Sequence, residues 1–346
     1  MKQNKEPQAA PQPKERAKST KSQRKTQVLL LLSVLLVIAG IWVVRIPKNY
    51  VNMFLDHYDG TTSILMEMKG LERSEAEEAS LLLLQQSFDD WKETHLRDEA
   101  EVTARDGVTL RGGFYDAKSD VTVILLHTFD GSSADSDYLF APYYAARGYN
   151  ILLPDNRAHG ESGGAHVTYG LYEGEDVACW VEWLLEQYGD GHQVILQGDT
   201  LGANAALAGA AMVEADPALA GSVRFVVAES PVVNLYDAAG YLLSNQFKIP
   251  GFMVAIGDLF AKNSLDGRSM KAVDLTEMTR DCEVPLLVLQ GGQDKIVDPA
   301  GVAAYCDAYA GESALVRADC AHGMVYAANP EGCEAALDEM ISHWID

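Results

Sequence analysis

Short apolar runs alternate with amphipathic helical segments along residues 98–346, and this alternation limits the fold more than any other feature of the sequence. The run VTVILL at residues 121–126 is typical of a strand that is buried on both faces. Further strands are predicted at residues 101–104, 109–115, 149–153, 193–196, 224–228, 285–289 and 314–317, and helices at 138–147, 172–188 and 201–213. The pattern predicts an α/β domain with a mostly parallel central sheet flanked by helices.

A helical insert interrupts this alternation at residues 231–280. Open α/β sheets bind ligands beyond the carboxyl ends of their strands. We therefore expect the insert to form a small helical cap at that edge of the domain.

Seventeen residues without a charge, VLLLLSVLLVIAGIWVV at residues 28–44, precede the domain. Such a run is at the lower limit for a membrane-spanning helix, which takes about 17–25 residues. No small-residue cleavage site ends it, so a transmembrane signal anchor is favoured over a cleaved signal peptide. The basic residues 1–27 are predicted to be a disordered cytoplasmic tail, which makes the chain a single-pass cell-membrane protein with an extracytoplasmic body. Residues 45–97 are predicted to be helical, either as a stalk or packed on the rim of the domain.

Composition excludes several classes of function. The formal net charge is −23, which argues against nucleic acid as a partner because phosphate binding needs a basic face. No metal-ligand spacing occurs among the eight histidines, Cys-x-x-Cys and Gly-x-Gly-x-x-Gly are absent, and neither a metal nor a cofactor is predicted. Four of the five cysteines, Cys282, Cys306, Cys320 and Cys333, leave open one disulfide or isolated buried thiols.

The segment GDTLG at residues 198–202 follows a predicted strand and precedes a predicted helix. It matches the strand–turn–helix motif G-x-S-x-G with threonine at the central position. The two glycines permit a sharp turn and close packing of the helix. The central side chain, Thr200, would stand at a helix N-terminus, which favours developing negative charge.

Two later residues complete the expected order of nucleophile, acid and histidine. Asp294 follows the strand at residues 285–289 and two glycines, and His322 lies in the segment AHGM after the strand at residues 314–317. His322 would take the proton from Thr200, and Asp294 would orient the imidazole and stabilise its charged form.

On these motifs residues 98–346 resemble the alpha/beta hydrolase superfamily, specifically its bacterial membrane-anchored branch that is similar to serine aminopeptidases or acylglycerol lipases. The segment DNRAHGESGG at residues 155–164 is similar to the D-x-R-G-H-G-x-S loop of the family, and AHGM matches its histidine loop. His127-Thr128-Phe129 stands where the family has a His-Gly-aromatic oxyanion loop. The resemblance implies that the backbone N–H groups of Phe129 and Leu201 form the oxyanion hole.

Two residues depart from the family pattern: Thr200 replaces serine, and Thr128 replaces a glycine of the oxyanion loop. The threonine methyl group stiffens χ1, and β-branched residues are disfavoured in a strained turn. A misplacement of about 1 Å can cost on the order of 10²-fold in rate.

Two functions follow as alternatives. The first is hydrolysis of esters or related acyl bonds, with a small acyl, ester or peptide substrate and a Thr200–His322–Asp294 triad. In it the insert residues Phe247, Phe252, Met253 and Leu259 would shape an acyl pocket. The second is a catalytically weak or inactive hydrolase-fold binding module at the cell surface. His127, Arg157 and His159 are interpreted as residues that order loops, and Cys320 as packing or disulfide material.

Overall fold

The computed structural model describes residues 21–56, 74–95, 97–129, 131 and 138–345. The chain divides between Ile46 and Pro47 into two compact units. Helix α1 spans Lys21–Leu55, and its segment Gln23–Leu55 is long and apolar enough to cross a membrane. The large apolar side chains between residues 28 and 44 are mostly exposed. Residues 21–27 are helical, whereas the rest of the predicted tail lies outside the described residues.

The second unit is built on an eight-stranded sheet with the strand order β1-β2-β4-β3-β5-β6-β7-β8. The strands are β1 Asp98–Thr103, β2 Thr109–Tyr115, β3 Val121–Leu126, β4 Asn150–Pro154, β5 Gln193–Asp199, β6 Val223–Glu229, β7 Leu286–Gly291 and β8 Ser313–Ala318. β2 pairs antiparallel with β1 and β4, and all other neighbours are parallel. The prediction of a mostly parallel sheet is confirmed.

Helices cover both faces of this sheet. They are α2 Glu75–Thr94, α3 Ala141–Ala145, α4 Glu173–Tyr188, α5 Leu201–Ala215, α6 Leu235–Phe247, α7 Phe252–Ala261, α8 Leu275–Met278, α9 Pro299–Ala308, α10 Val325–Ala328 and α11 Pro330–Trp344. Because successive strand residues point to opposite faces, Ile124 and Leu126 of β3 enter one apolar cluster while Val123 and Leu125 enter the other. The flanked sheet of the sequence prediction is therefore confirmed on both faces.

Helix α2 packs on the domain and does not extend from it as a stalk. Ser74 and Glu77 form a capping box at its start. Phe88 and Trp91 are buried in the same apolar cluster as α3 and α11, and the Trp91 ring centroid lies 4.5 Å from that of Tyr115. Of the segment predicted at residues 45–97, residues 57–73 and 96 lie outside the described residues.

The insert at residues 231–280 is helical, as expected, and contains α6, α7, a 3₁₀ turn at Met270–Ala272 and α8. Asn234 caps α6 through the N–H groups of Tyr236 and Asp237, and its amide donates to Asp274 at 2.9 Å. The two ends of the cap are thereby held together.

Candidate active site

The turn between β5 and α5 has the geometry of a nucleophile elbow. Thr200 has φ 50° and ψ −97°, a conformation that costs a residue other than glycine about 1–3 kcal/mol. A Cβ atom at Gly198 would lie 2.2 Å from the backbone of Gly202, and one at Gly202 would lie 2.1 Å from the Leu126 carbonyl oxygen. Both glycines are therefore required by close backbone approach.

The turn brings Thr200 into contact with the two other residues that the sequence grouped with it. Thr200 Oγ1 lies 2.8 Å from His322 Nε2, and His322 Nδ1 lies 2.7 Å from Asp294 Oδ2. The side chains of all three residues are buried. The three groups form a continuous hydrogen-bonded chain between the ends of β5, β7 and β8.

Backbone amides hold the carboxylate of Asp294 in place. Its Oδ1 accepts hydrogen bonds from the N–H groups of Ile296 at 2.8 Å and Val297 at 2.9 Å. Burial works against the charged form, but the charge and hydrogen bond of His322 and these backbone donors lower the pKa of Asp294. An ionised Asp294 can only accept, so His322 Nδ1 carries the proton and Nε2 accepts the Thr200 hydroxyl.

Phe129 and Leu201 lie on the two segments that meet at the elbow. Leu201 is the first residue of α5. Phe129 lies in the loop that follows β3, and the carbonyl oxygens of Leu126, which ends β3, and of His127 face Gly202. The Phe129 carbonyl oxygen lies 2.7 Å from His159 Nε2. Part of the same loop, residues 130 and 132–137, lies outside the described residues.

His127 and Thr128 order this loop from within. His127 Nδ1 donates to the Thr128 carbonyl oxygen at 2.6 Å, and Nε2 accepts from the N–H of Asn156 at 2.9 Å. Burial, with a smaller contribution from the neighbouring His159, lowers the pKa of His127 to about 3, which keeps the imidazole neutral. The Thr128 side chain is half-buried.

Arg157 ties the following loop to two other segments. Its guanidinium donates to both carboxylate oxygens of Asp176 on α4, at 2.7 and 2.5 Å, and to Asp106 at 2.9 Å. Burial disfavours the charge, but these hydrogen bonds outweigh it and raise the pKa of Arg157. The contacts of Arg157, His127 and His159 are those of residues that hold loops.

Two residues of the site, Glu229 and Tyr241, were not found by sequence reasoning. Glu229 ends β6, its carbonyl oxygen accepts from the N–H of Thr200 at 2.8 Å, and its carboxyl accepts from the N–H of Val325 at 2.9 Å. Tyr241 of the cap donates its hydroxyl to the Asp294 carbonyl oxygen at 2.9 Å. The signal for Glu229 was its position directly after a buried strand, whereas Tyr241 had none.

The change Glu229→Gln is expected to stabilise the protein at alkaline pH only. Burial raises the pKa of Glu229 to about 7, so the stability contributed by its neutral form is present below about pH 4.3 and is lost as pH rises through 7. Glutamine keeps the acceptor for Val325 without the charge. We expect the free energy of unfolding at pH 8 to rise by up to about 3 kcal/mol, with no gain at pH 4.

The measurement is thermal unfolding of the full-length protein at both pH values, with the exposed Glu312→Gln as the matched control. If the stability of wild type and of Glu229→Gln changes with pH in the same way, the titrating group is not Glu229.

An apolar cavity opens from Thr200 and His322 toward the cap. Its lining includes Met253, but Phe247, Phe252 and Leu259 do not line it. Phe252 and Leu259 lie on α7 with 59% and 67% of their surface exposed, and the Phe247 ring packs 5.0 Å from that of Tyr50. The prediction that all four residues shape the pocket is therefore wrong for three of them. The helical period of α7 turns Phe252 and Leu259 to the side opposite Met253 and Val254.

All five cysteines are buried free thiols, so the alternative of one disulfide does not apply to this structure. Burial raises the pKa of Cys320 to about 12, and a protonated thiol is a poor nucleophile. Within the described ranges, no group of three or more His, Cys, Asp or Glu side chains is placed to hold a metal ion.

Comparison with known proteins gives three kinds of match. A family model described as alpha/beta hydrolase fold matches residues 121–217. An uncharacterised protein of Bacillus subtilis strain 168, YqkD, is 24% identical over 238 residues, which are 68% of this chain and 76% of the relative. The solved esterase Pf2001 of Pyrococcus furiosus is 25% identical, with a TM-score of 0.62 over 74% of this chain and 94% of the esterase.

A second solved structure, Est1E of Butyrivibrio proteoclasticus with bound ferulic acid, is 18% identical and has a TM-score of 0.53. The match covers 71% of this chain and 99% of Est1E, and it speaks for the fold alone. The sheet order, the elbow and these matches agree: the chain has the alpha/beta hydrolase fold, and its residues 121–217 are similar to the alpha/beta hydrolase family model.

Proposed function

We propose that the protein hydrolyses esters or related acyl bonds, with Thr200 as nucleophile, His322 as general base and Asp294 as the group that orients His322. The observation that carries the proposal is the unbroken chain of hydrogen bonds from Thr200 Oγ1 to His322 and on to Asp294, at 2.8 and 2.7 Å. A solved structural neighbour named as an esterase supports the same reaction class.

The reaction follows from this geometry. Thr200 Oγ1 attacks the acyl carbon while its proton passes to His322 Nε2, and the carbonyl oxygen becomes an oxyanion that accepts from the N–H groups of Phe129 and Leu201. The C–O bond to the leaving group breaks, and the leaving alkoxide takes the proton from His322. Water, deprotonated by the same nitrogen, then attacks the acyl-Thr200 ester and releases the acid.

The threonine methyl group is compatible with the first step. With φ at 50° the side chain still places Oγ1 2.8 Å from His322 Nε2, a distance that permits proton transfer.

The second candidate is a catalytically weak or inactive binding module that uses the same cavity. The observation that favours it is Thr128, whose half-buried side chain lies in the loop that would supply the Phe129 donor. A test separates the two: the full-length protein should hydrolyse short-chain nitrophenyl esters at a rate that depends on Thr200. Equal rates in wild type and Thr200→Ala would favour the binding module.

We also propose that α1 anchors the protein in the cell membrane, with the basic tail at residues 1–27 in the cytoplasm and the body at 98–346 outside. The length and apolar character of Gln23–Leu55 support a span, and the basic residues that precede it support the orientation. Protease added to intact cells should digest the body and spare a tag placed before residue 1. If the body is protected from the protease, the orientation in the membrane is the opposite of the one proposed.

A further inference from the structure

The cavity at the triad is lined almost wholly by hydrocarbon. Among the lining residues that the structure describes, polar atoms belong to Thr200, His322, Tyr50 and Tyr169; the other described lining side chains are apolar, and none of them carries a carboxylate, an ammonium or a guanidinium group. A cavity of this kind binds a hydrocarbon chain, whereas a charged side chain of a peptide would lose its hydration there without gaining a charged partner.

One wall of the cavity is the C-terminal end of α1. The lining residues of this wall are Pro47, Tyr50, Val51, Phe54 and Leu55. Their spacing of three and four residues places them on one helical face, while Asn52 on the opposite face is exposed. The wall is therefore a continuous apolar stripe of about two helical turns.

The cap packs closely against this wall. A Cβ atom at Gly257 of α7 would lie 3.4 Å from Val51 Cγ2 and 3.7 Å from Pro47 Cβ, at ordinary van der Waals distance, so α7 packs directly on this part of α1. From the same wall, the Phe54 ring lies 5.5 Å from the ring of Phe129, the proposed oxyanion residue.

Polar contacts fix the end of the same helix. The Leu55 carbonyl oxygen accepts from the N–H of Val167 at 2.9 Å. Asp56 Oδ1 lies 3.2 Å from His166 Nδ1 and accepts from Ser264 Oγ at 3.3 Å. The loop before α4 and the cap thus hold the last turns of α1 in a fixed position beside the site.

We infer that residues 47–55 of α1 are the wall that selects the acyl group, and that the substrate is an ester of an unbranched medium-length acyl chain. The cavity has a volume of about 90 Å³. A water molecule needs about 10–15 Å³ of such space, so the cavity has room for a chain of several methylene groups, for which an octanoyl chain is a suitable probe. This inference rests on the proposed function and names its substrate class.

Helix α1 contains both the apolar run proposed as the membrane anchor and residues that line the cavity. Only Arg45 and Ile46 separate the apolar run at residues 28–44 from the wall. The proposed anchor segment and the wall residues thus belong to the same helix, α1.

The experiment uses the full-length protein in lipid nanodiscs, so that no detergent chain competes for the cavity. We expect kcat/KM for nitrophenyl octanoate to exceed that for the acetate by about 10-fold or more, because each methylene that leaves water adds to binding. Val51→Trp and Ala239→Phe, which fill the cavity from α1 and from α6, should each lower the octanoate-to-acetate ratio about 10-fold.

The matched control is Asn52→Trp, which places the same bulk on the exposed face of α1 and should leave the ratio unchanged. A ratio that stays at the wild-type value in both Val51→Trp and Ala239→Phe overturns the inference. Because the two variants lie on different helices, misfolding of one does not remove the test.

Binding separates this inference from the proposed function. In Thr200→Ala, octanoate should displace a dansyl-labelled fatty acid from the cavity, and Val51→Trp added to that variant should weaken displacement about 10-fold. Displacement without any ester hydrolysis by wild type would reject the hydrolase and retain the acyl-chain site. Absence of displacement would reject the acyl-chain site.

Discussion

Thr200→Ala is expected to lower kcat for nitrophenyl acetate by about 10³-fold or more, because alanine has no hydroxyl group to attack the ester. The cavity keeps its lining, so KM should change little. The change removes the hydroxyl and methyl groups of Thr200 but keeps its Cβ atom at φ 50°, so the turn keeps its conformation and the protein should still fold. Steady-state kinetics of the full-length protein measure both constants.

The matched variant is Thr200→Ser, which keeps the oxygen and removes the methyl group. Serine is freer about χ1, and its Oγ can follow the attack trajectory more closely, so kcat should rise by about 10-fold or more. If wild type equals Thr200→Ala while Thr200→Ser gains turnover, the natural protein is a binding module whose site a single methyl group disables.

A third outcome points to the oxyanion loop. If Thr200→Ser is also inactive, the half-buried Thr128 is the remaining departure from the family pattern beside the proposed Phe129 donor. Thr128→Gly in the Thr200→Ser background then tests whether space at this position limits the reaction.

The sequence predicted the fold and the elbow because both have local signals. A strand such as β3 is a short apolar run, and the turn at Thr200 needs glycines at fixed offsets, which close backbone contacts at Gly198 and Gly202 explain. The order of Thr200, Asp294 and His322 along the chain was enough to group residues that lie far apart in sequence.

The wall of the cavity had no such signal. The stripe at residues 47–55 is visible as a helical period, but a period identifies an apolar face and does not identify its partner. Hydrophobicity alone predicts Phe252 and Leu259 in the pocket, but in the structure both side chains are exposed, and α7 approaches α1 through Gly257. Residues of α1 and of the cap lie far apart in the sequence, and which of them come into contact depends on how the folded chain packs.

Asp294→Asn is expected to lower kcat by about 10³–10⁴-fold with little change in KM. The N–H groups of Ile296 and Val297 both point at Oδ1, so the amide oxygen of an asparagine would stay there and its NH₂ group would face His322. Two donors cannot face each other, so His322 would carry its proton on Nε2 instead of Nδ1. In that tautomer Nε2 cannot accept the proton of Thr200.

The control for this change lies four residues further on. Asp298 is exposed and caps α9, and asparagine is an equally good N-cap, so Asp298→Asn should leave kcat unchanged. Because His322 lowers the pKa of Asp294, wild type loses the stability of this pair as pH falls below about 4, whereas Asp294→Asn has no such loss. A kcat within about 10-fold of wild type would mean that His322 holds its tautomer without Asp294, and the orienting role would pass to another group.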